Sequence, residues 1–121
     1  MKFRSKFEKG VYEKAKETGG ELEYEPRSRI VSYVDSSFYL PDFVLPNGIY
    51  VECKGWFSPR DRRKMLAVRR CNPNCDIRMV FQRASNRLTK GKNSMTYGKW
   101  CEKHDIQWAE GGIPTEWWNE K

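Results

Sequence analysis

Residues 39–54, YLPDFVLPNGIYVECK, leave the backbone little choice. Two short runs of mostly aliphatic and aromatic residues, 40–45 and 49–54, flank Pro46-Asn47-Gly48, where proline fixes φ and glycine accepts a positive φ. The chain is predicted to reverse there as a β-hairpin. With 46–48 as a three-residue loop, Leu45 pairs with Ile49, and counting back sets Asp42 opposite Glu52. Side chains alternate along a strand, so Lys54 shares the Glu52 face while Ile49, Val51 and Cys53 turn to a core on the other. A two-residue Asn47-Gly48 turn would place Asp42 opposite Cys53 instead and part the two carboxylates.

In the three-residue register the carboxylates face one another with Cβ atoms roughly 4.5–5.5 Å apart, and they repel unless a cation lies between them. Hard carboxylate oxygens hold Mg²⁺ while leaving it several waters, and the bound ion polarises a phosphoryl oxygen and acidifies an attacking water. A lysine alongside orients that water or offsets developing negative charge. Pro41-Asp42, with Glu52-Cys53-Lys54 ten positions on, resembles the PD-(D/E)xK nuclease signature. The bare pattern also occurs by chance, as a solvated strand face.

A chain of 121 residues suffices for one domain with one core. Its net charge of +7 favours an anionic partner such as nucleic acid or an acidic membrane surface. No apolar run approaches the roughly 20 residues that span a bilayer, and MKFRSKFEKG lacks the apolar centre of a signal peptide, so a soluble, cytoplasmic protein is expected. Cys71-x-x-x-Cys75 is a permitted zinc spacing, but Cys53 and Cys101 are isolated and reduced thiols are the better reading.

Ser5 and Glu8 match a capping box, with Glu8 reaching back to the N-cap and Phe7, Val11 and Ala15 forming one apolar stripe up to Gly19-Gly20. Residues 21–25 alternate as an amphipathic strand until Pro26. Within 27–39, residues 30–34 have strand propensity and 35–37 read as a turn, the whole forming a strand or an extended arm. Ser58-Pro59 starts a helix over 59–71 with Met65, Leu66 and Val68 inward. Its outer face carries Arg60, Arg62, Arg63, Lys64, Arg69 and Arg70 against the single acid Asp61, a density that points to phosphate contact. An inner strand over 76–82 leads to the acid-free loop 83–93, whose Arg83, Arg87, Lys90 and Lys92 form a second candidate DNA grip. A helix over 96–103 and a strand over 106–109 follow. His104 sits at that helix's C-terminus, where its cationic form is favoured and its role is structural. Trp117-Trp118 covers the core.

Phe3-Arg4-Ser5 with Glu8, Glu23-Tyr24-Glu25, Pro41-Asp42-Phe43, Leu45 to Ile49, Val51-Glu52-x-Lys54-Gly55, Asp76-Ile77-Arg78, Lys90-Gly91, Tyr97-Gly98, Cys101 to His104 and Ile113-Pro114-x-Glu116-Trp117 stand in one order along nearly the whole chain. Together they resemble the phage endonuclease I family of Holliday junction resolvases. The resemblance implies an α/β, restriction-endonuclease-like PD-(D/E)xK fold: a mixed sheet flanked by helices, with residues 1–121 as a single nuclease domain. It also implies an intertwined, domain-swapped homodimer, paired nicks in branched DNA, and a cytoplasmic site of action in the infected or host bacterial cell. By match to the family motif Glu8, Asp42, Glu52 and Lys54 are the catalytic set. Asp42, Glu52, the Cys53 main-chain carbonyl and Glu8 bind Mg²⁺, for which Mn²⁺ substitutes. Residues 27–39 would be the arm crossing between protomers, bringing Glu8 to its partner's other three residues. Arg4 and Lys6 join the basic residues above as DNA contacts. The expected protein is thus a Mg²⁺-dependent endodeoxyribonuclease acting on four-way junctions. The alternatives are a non-catalytic basic DNA-binding protein, or a nuclease of the same fold acting on mismatches or duplex DNA.

Overall fold

In the computed structural model, which describes residues 2–33 and 37–120, the reversal at Pro46-Asn47-Gly48 is the three-residue loop, the first of the two registers that the sequence allows. Gly48 has φ 93°, and the Leu45 N–H donates to the Ile49 carbonyl at 2.9 Å. Strands β4 (Phe43–Val44) and β5 (Tyr50–Lys54) pair antiparallel with Phe43 opposite Val51 and Val44 opposite Tyr50, a register that sets Asp42 opposite Glu52 when continued. The first arm is shorter than the expected 40–45. Pro41 has no N–H to give, and the Cys53 N–H donates 2.9 Å to Asp42 Oδ2 rather than to a backbone carbonyl. A carboxylate thus replaces the next rung of the ladder.

Strands β1 (Glu23–Tyr24), β6 (Ile77–Phe81) and β7 (Trp108–Glu110) complete a five-stranded mixed sheet in the order β1-β4-β5-β6-β7. β1, β4 and β5 run antiparallel, whereas β5, β6 and β7 are parallel. Parallel neighbours need a crossover, and helix α2 (Pro59–Cys71) supplies the one between β5 and β6. Its predicted bounds hold, because Ser58 and Asp61 form a complete capping box, Pro59 occupies the first turn, and Met65 and Val68 are buried. Helix α3 (Tyr97–Lys103) precedes β7 with Tyr97, Trp100 and Cys101 inward. The last strand starts two residues later than the expected 106, because the Ile106 N–H closes back onto the Cys101 carbonyl at 2.8 Å.

Alternation across the sheet divides the core. Phe43, Val51, Cys53 and Val80 pack under α1 (Lys6–Glu17) and α4 (Thr115–Trp118), with Val11, Ala15 and Trp117. Val44, Tyr50, Met79 and Phe81 pack under α2 and α3, with Met65, Val68 and Trp100. Val51, Val80 and Phe81 are fully buried, so removing one such side chain is expected to cost about 2–5 kcal/mol. Trp117 covers the core as expected, and Trp118 lies against Gly20.

Three expectations need correction. The box at α1 is half formed: Ser5 Oγ accepts the Glu8 N–H at 3.1 Å, but the Glu8 carboxylate accepts from Tyr24 Oη instead of returning to the N-cap. Residues 27–39 are neither one strand nor a plain arm. A 3₁₀ turn, Arg27–Arg29, leads to strands β2 (Val31–Tyr33) and β3 (Ser37–Tyr39), which pair antiparallel against α2. The turn read at 35–37 lies outside the described residues except for Ser37, which belongs to β3. His104 does cap α3, but burial and the nearby Lys103 and Arg69 hold its pKa below the usual histidine value, against the expected cationic form. Among the described residues no helix is long and apolar enough to cross a membrane.

Candidate active site

Where β4 leaves the edge of β5, four carboxylates converge from different parts of the chain. Asp42 is fixed at both ends: its side chain takes the Cys53 N–H, and its carbonyl takes the Glu25 N–H at 2.7 Å. Glu8 arrives from the first turn of α1, held by Tyr24 Oη at 2.7 Å. Glu25 follows β1 with a left-handed φ of 44°, which ends the strand alternation that would group it with exposed Glu23. One oxygen from each of Glu8, Glu25 and Asp42 lies within 4.8 Å of the others. Sequence reasoning missed Glu25 because its direction depends on that single dihedral angle.

Glu52 stands beside this trio, on the α2 face of β5. Tyr39 Oη donates to its Oε1 at 2.8 Å, and Lys54 Nζ lies 3.5 Å from its Oε2. Tyr39 is fully buried and was also missed, since a strand tyrosine carries no mark of the acid it faces until the hairpin β2–β3 is folded. Lys54 is shared with Asp61 Oδ1 at 3.4 Å. The Cys53 side chain points to the opposite core, and its main-chain carbonyl, by the geometry of a strand, faces the same edge as its N–H, where Asp42 sits. The four residues selected by sequence, Glu8, Asp42, Glu52 and Lys54, therefore meet at one corner of the sheet.

The electrostatics of this corner are unbalanced. Burial first, then the charges of Glu52 and Glu8, hold the Asp42 pKa far above the usual carboxylate range. Burial likewise raises Glu52, although Lys54 and the Tyr39 hydroxyl oppose it. Tyr24 and Tyr39 are raised by burial and by the carboxylates they serve, so both remain hydroxyl donors. Arg4 Nε lies 3.0 Å from Glu25 Oε2 but out of hydrogen-bond alignment, leaving that buried oxygen without a donor among the described residues. Clustered hard oxygen donors with too little positive charge suit a divalent metal ion. Glu8, Glu25 and Asp42 would hold it, with Glu52 and the Cys53 carbonyl at the adjoining edge.

The family model described as phage endonuclease I matches residues 1–121. The chain belongs to the phage endonuclease I family. It is 43% identical over 121 residues to Endonuclease I of Escherichia phage T7, covering 98% of this chain and 79% of that one. It is 42% identical over 113 residues to Endodeoxyribonuclease 1 of Enterobacteria phage T3, covering 93% of this chain and 74% of that one.

Of the basic residues assigned to DNA, this family member commits several to its own framework. Arg62 donates to the Phe57 carbonyl, Arg69 to those of His104 and Asp105, and Arg87 to that of Ser94. Lys64 lies over the rings of Tyr33 and Tyr39 at 6.0 and 5.7 Å, joining α2 to the hairpin. Lys6, Arg60, Arg63, Arg83, Lys90 and Lys92 are exposed. Helix register alone cannot separate the two groups, because it shows which face a residue occupies and not which carbonyl lies next to it.

Proposed function

We propose that this protein is a Mg²⁺-dependent, structure-selective endodeoxyribonuclease that resolves Holliday junctions and other branched DNA by paired nicks. The observation that carries the reading is the buried excess of carboxylate at the end of β5, set beside a lysine in a phage endonuclease I family member. Exposed Arg60 and Arg63 on α2, with Arg83, Lys90 and Lys92 on the loop after β6, would hold phosphates without reading bases.

A bound divalent ion would supply a polarised phosphoryl oxygen and an acidified water. The residues supply the rest. Tyr39 and Tyr24 hold Glu52 and Glu8 in single orientations, and the Cys53 N–H does the same for Asp42. Lys54, pinned between Glu52 and Asp61, presents an ammonium that would orient the attacking water and offset charge on the phosphate. The PD-(D/E)xK assignment is supported by Asp42, Glu52 and Lys54 on neighbouring antiparallel segments of a mixed sheet.

Paired nicks need two such sites, which a homodimer provides. Residues 27–39 join β1 to β4, so their exchange between two copies would carry Glu8 and Glu25 to the partner's Asp42 and Glu52 with the same local contacts. Nicking of a four-way junction and of matched linear duplex, with Mg²⁺ and with EDTA, tests the reading. Junction cleavage in Mg²⁺ alone is expected, and equal cutting of both DNAs would remove the claim of structure selectivity. Glu52→Gln should bind junction and fail to cut it, and a fully active variant would remove the site assignment.

A further inference from the structure

Asp61 is the one acid in a helix otherwise lined with arginine and lysine, on a surface read here as meeting DNA phosphate. An acid there weakens phosphate attraction, and its presence calls for a local reason. Half of that reason is structural: Asp61 Oδ2 accepts the Ser58 N–H at 3.1 Å, and Ser58 Oγ accepts the Asp61 N–H at 3.1 Å. The cap uses only one carboxylate oxygen. The other, Oδ1, lies 3.4 Å from Lys54 Nζ, which also lies 3.5 Å from Glu52 Oε2.

We propose that Asp61 is a positioning residue for Lys54, the helix cap serving as the mount that aims its second oxygen at the ammonium. Without Asp61, Lys54 has Glu52 as its nearest acid and collapses onto it, competing with whatever cation Glu52 serves. With Asp61 in place the ammonium is drawn to a point between the two acids, about a quarter exposed and open to a phosphate. The same contact ties the first turn of α2 to the end of β5, so the basic helix and the reacting centre keep a fixed separation. The inference rests on the hydrolytic reading of Lys54 given above.

Single-turnover nicking of a four-way junction at saturating protein, junction binding in Ca²⁺, and thermal melting are measured together. Asp61→Asn retains a cap acceptor but not the charge. It is expected to melt near the parent and bind junction as tightly or more tightly, yet to nick at least about tenfold more slowly, as misplacement of a reacting group does. Asp61→Glu keeps both charge and cap, and should recover most of the rate. Ser58→Ala removes the Oγ acceptor of the cap but keeps the backbone N–H that holds Asp61 Oδ2, and should lower the melting temperature with little change in rate. Lys54→Ala combined with Asp61→Asn should be no slower than Lys54→Ala alone, because the two changes remove one interaction.

Parental nicking by Asp61→Asn, or independent slowing in the double variant, would overturn the proposal. Glu52→Gln, run alongside, separates the two readings. If it is inactive while Asp61→Asn is normal, only the Asp61 inference fails. If it nicks like the parent, the hydrolytic reading fails and takes this inference with it.

Discussion

Arg78 and Asp42 are both taken almost fully out of water, at 2% and 6% exposed, and the protein treats them in opposite ways. Arg78 is balanced. Its guanidinium makes paired bonds to Asp76 at 3.0 and 2.8 Å and to Glu120 at 2.5 and 2.8 Å, and lies 5.2 Å from the centre of the Trp117 ring. Those two acids raise its pKa and Arg78 lowers that of Glu120, the signature of an internally settled network. Asn47 adds bonds to the Trp117 and Glu120 carbonyls, so the network clasps the C-terminal segment to the hairpin loop. Asp42 meets further acids, and its nearest lysine is already engaged by Asp61. Buried charge that the chain neutralises itself reads as architecture, whereas buried charge left in excess reads as a place for a ligand.

The sharpest way to break this comparison is Asp42→Asn, which can still accept the Cys53 N–H. Nicking of junction DNA should fall by about a hundredfold or more, while the metal-free protein melts at a higher temperature. A variant less stable than the parent in EDTA would show that the acid excess is no burden.

Arg78→Met should do the reverse. Loss of the guanidinium leaves Asp76 and Glu120 facing each other, and because both are half exposed the expected loss is about 2–3 kcal/mol in urea unfolding. The nicking rate per folded molecule should stay near the parental value. A rate loss larger than the stability loss would make the clasp part of the site.

A smaller effect concerns pH in the absence of metal. The Asp42 pKa is raised in the folded state, so between its ordinary value of 3.8 and the raised one the folded protein binds more protons than the unfolded. Its contribution to stability is present in full below the ordinary value and is lost as pH rises through the raised one. In EDTA the melting temperature should therefore fall from pH 5 to pH 8, and added Mg²⁺ or Mn²⁺ should restore more of it at the higher pH. A flat EDTA profile would contradict the raised value. His104 gives the smallest change. Its lowered folded pKa means that stability is lost as pH falls through that value, and His104→Gln should flatten the acid limb by a few tenths of a kcal/mol at most, since the ring, packed on Trp100, is only partly buried.

How much of this was legible in the sequence depended on whether the signal was local. The reversal of the hairpin, the start of α2 and the inward face of α3 follow from Pro46-Asn47-Gly48, from Ser58-Pro59 and from the spacing of Tyr97, Trp100 and Cys101, each a property of adjacent residues, whereas the choice between a two- and a three-residue turn did not. Glu8, by contrast, has a ready explanation as half of a capping box, and only the approach of Tyr24, sixteen positions on, turned it into the site. Arg78 stood out only within the Asp76-Ile77-Arg78 match, and its burial and full pairing were not legible, because its second acid partner lies forty-two positions away.

By itself the sequence determined that the chain reverses at Pro46-Asn47-Gly48, that Lys54 shares a strand face with Glu52, and that Asp42 lies opposite either Glu52 or Cys53; the observed pairing of Phe43 with Val51 chose Glu52. Tertiary structure alone decided that Glu8 and Glu25 join them, that Tyr39 and Asp61 hold Glu52 and Lys54 in place, and that Arg78 is neutralised while Asp42 is not. Those outcomes rest on which distant segments pack together and how far water is excluded between them, and the energy of a charge is set by that surrounding rather than by its neighbours in the chain.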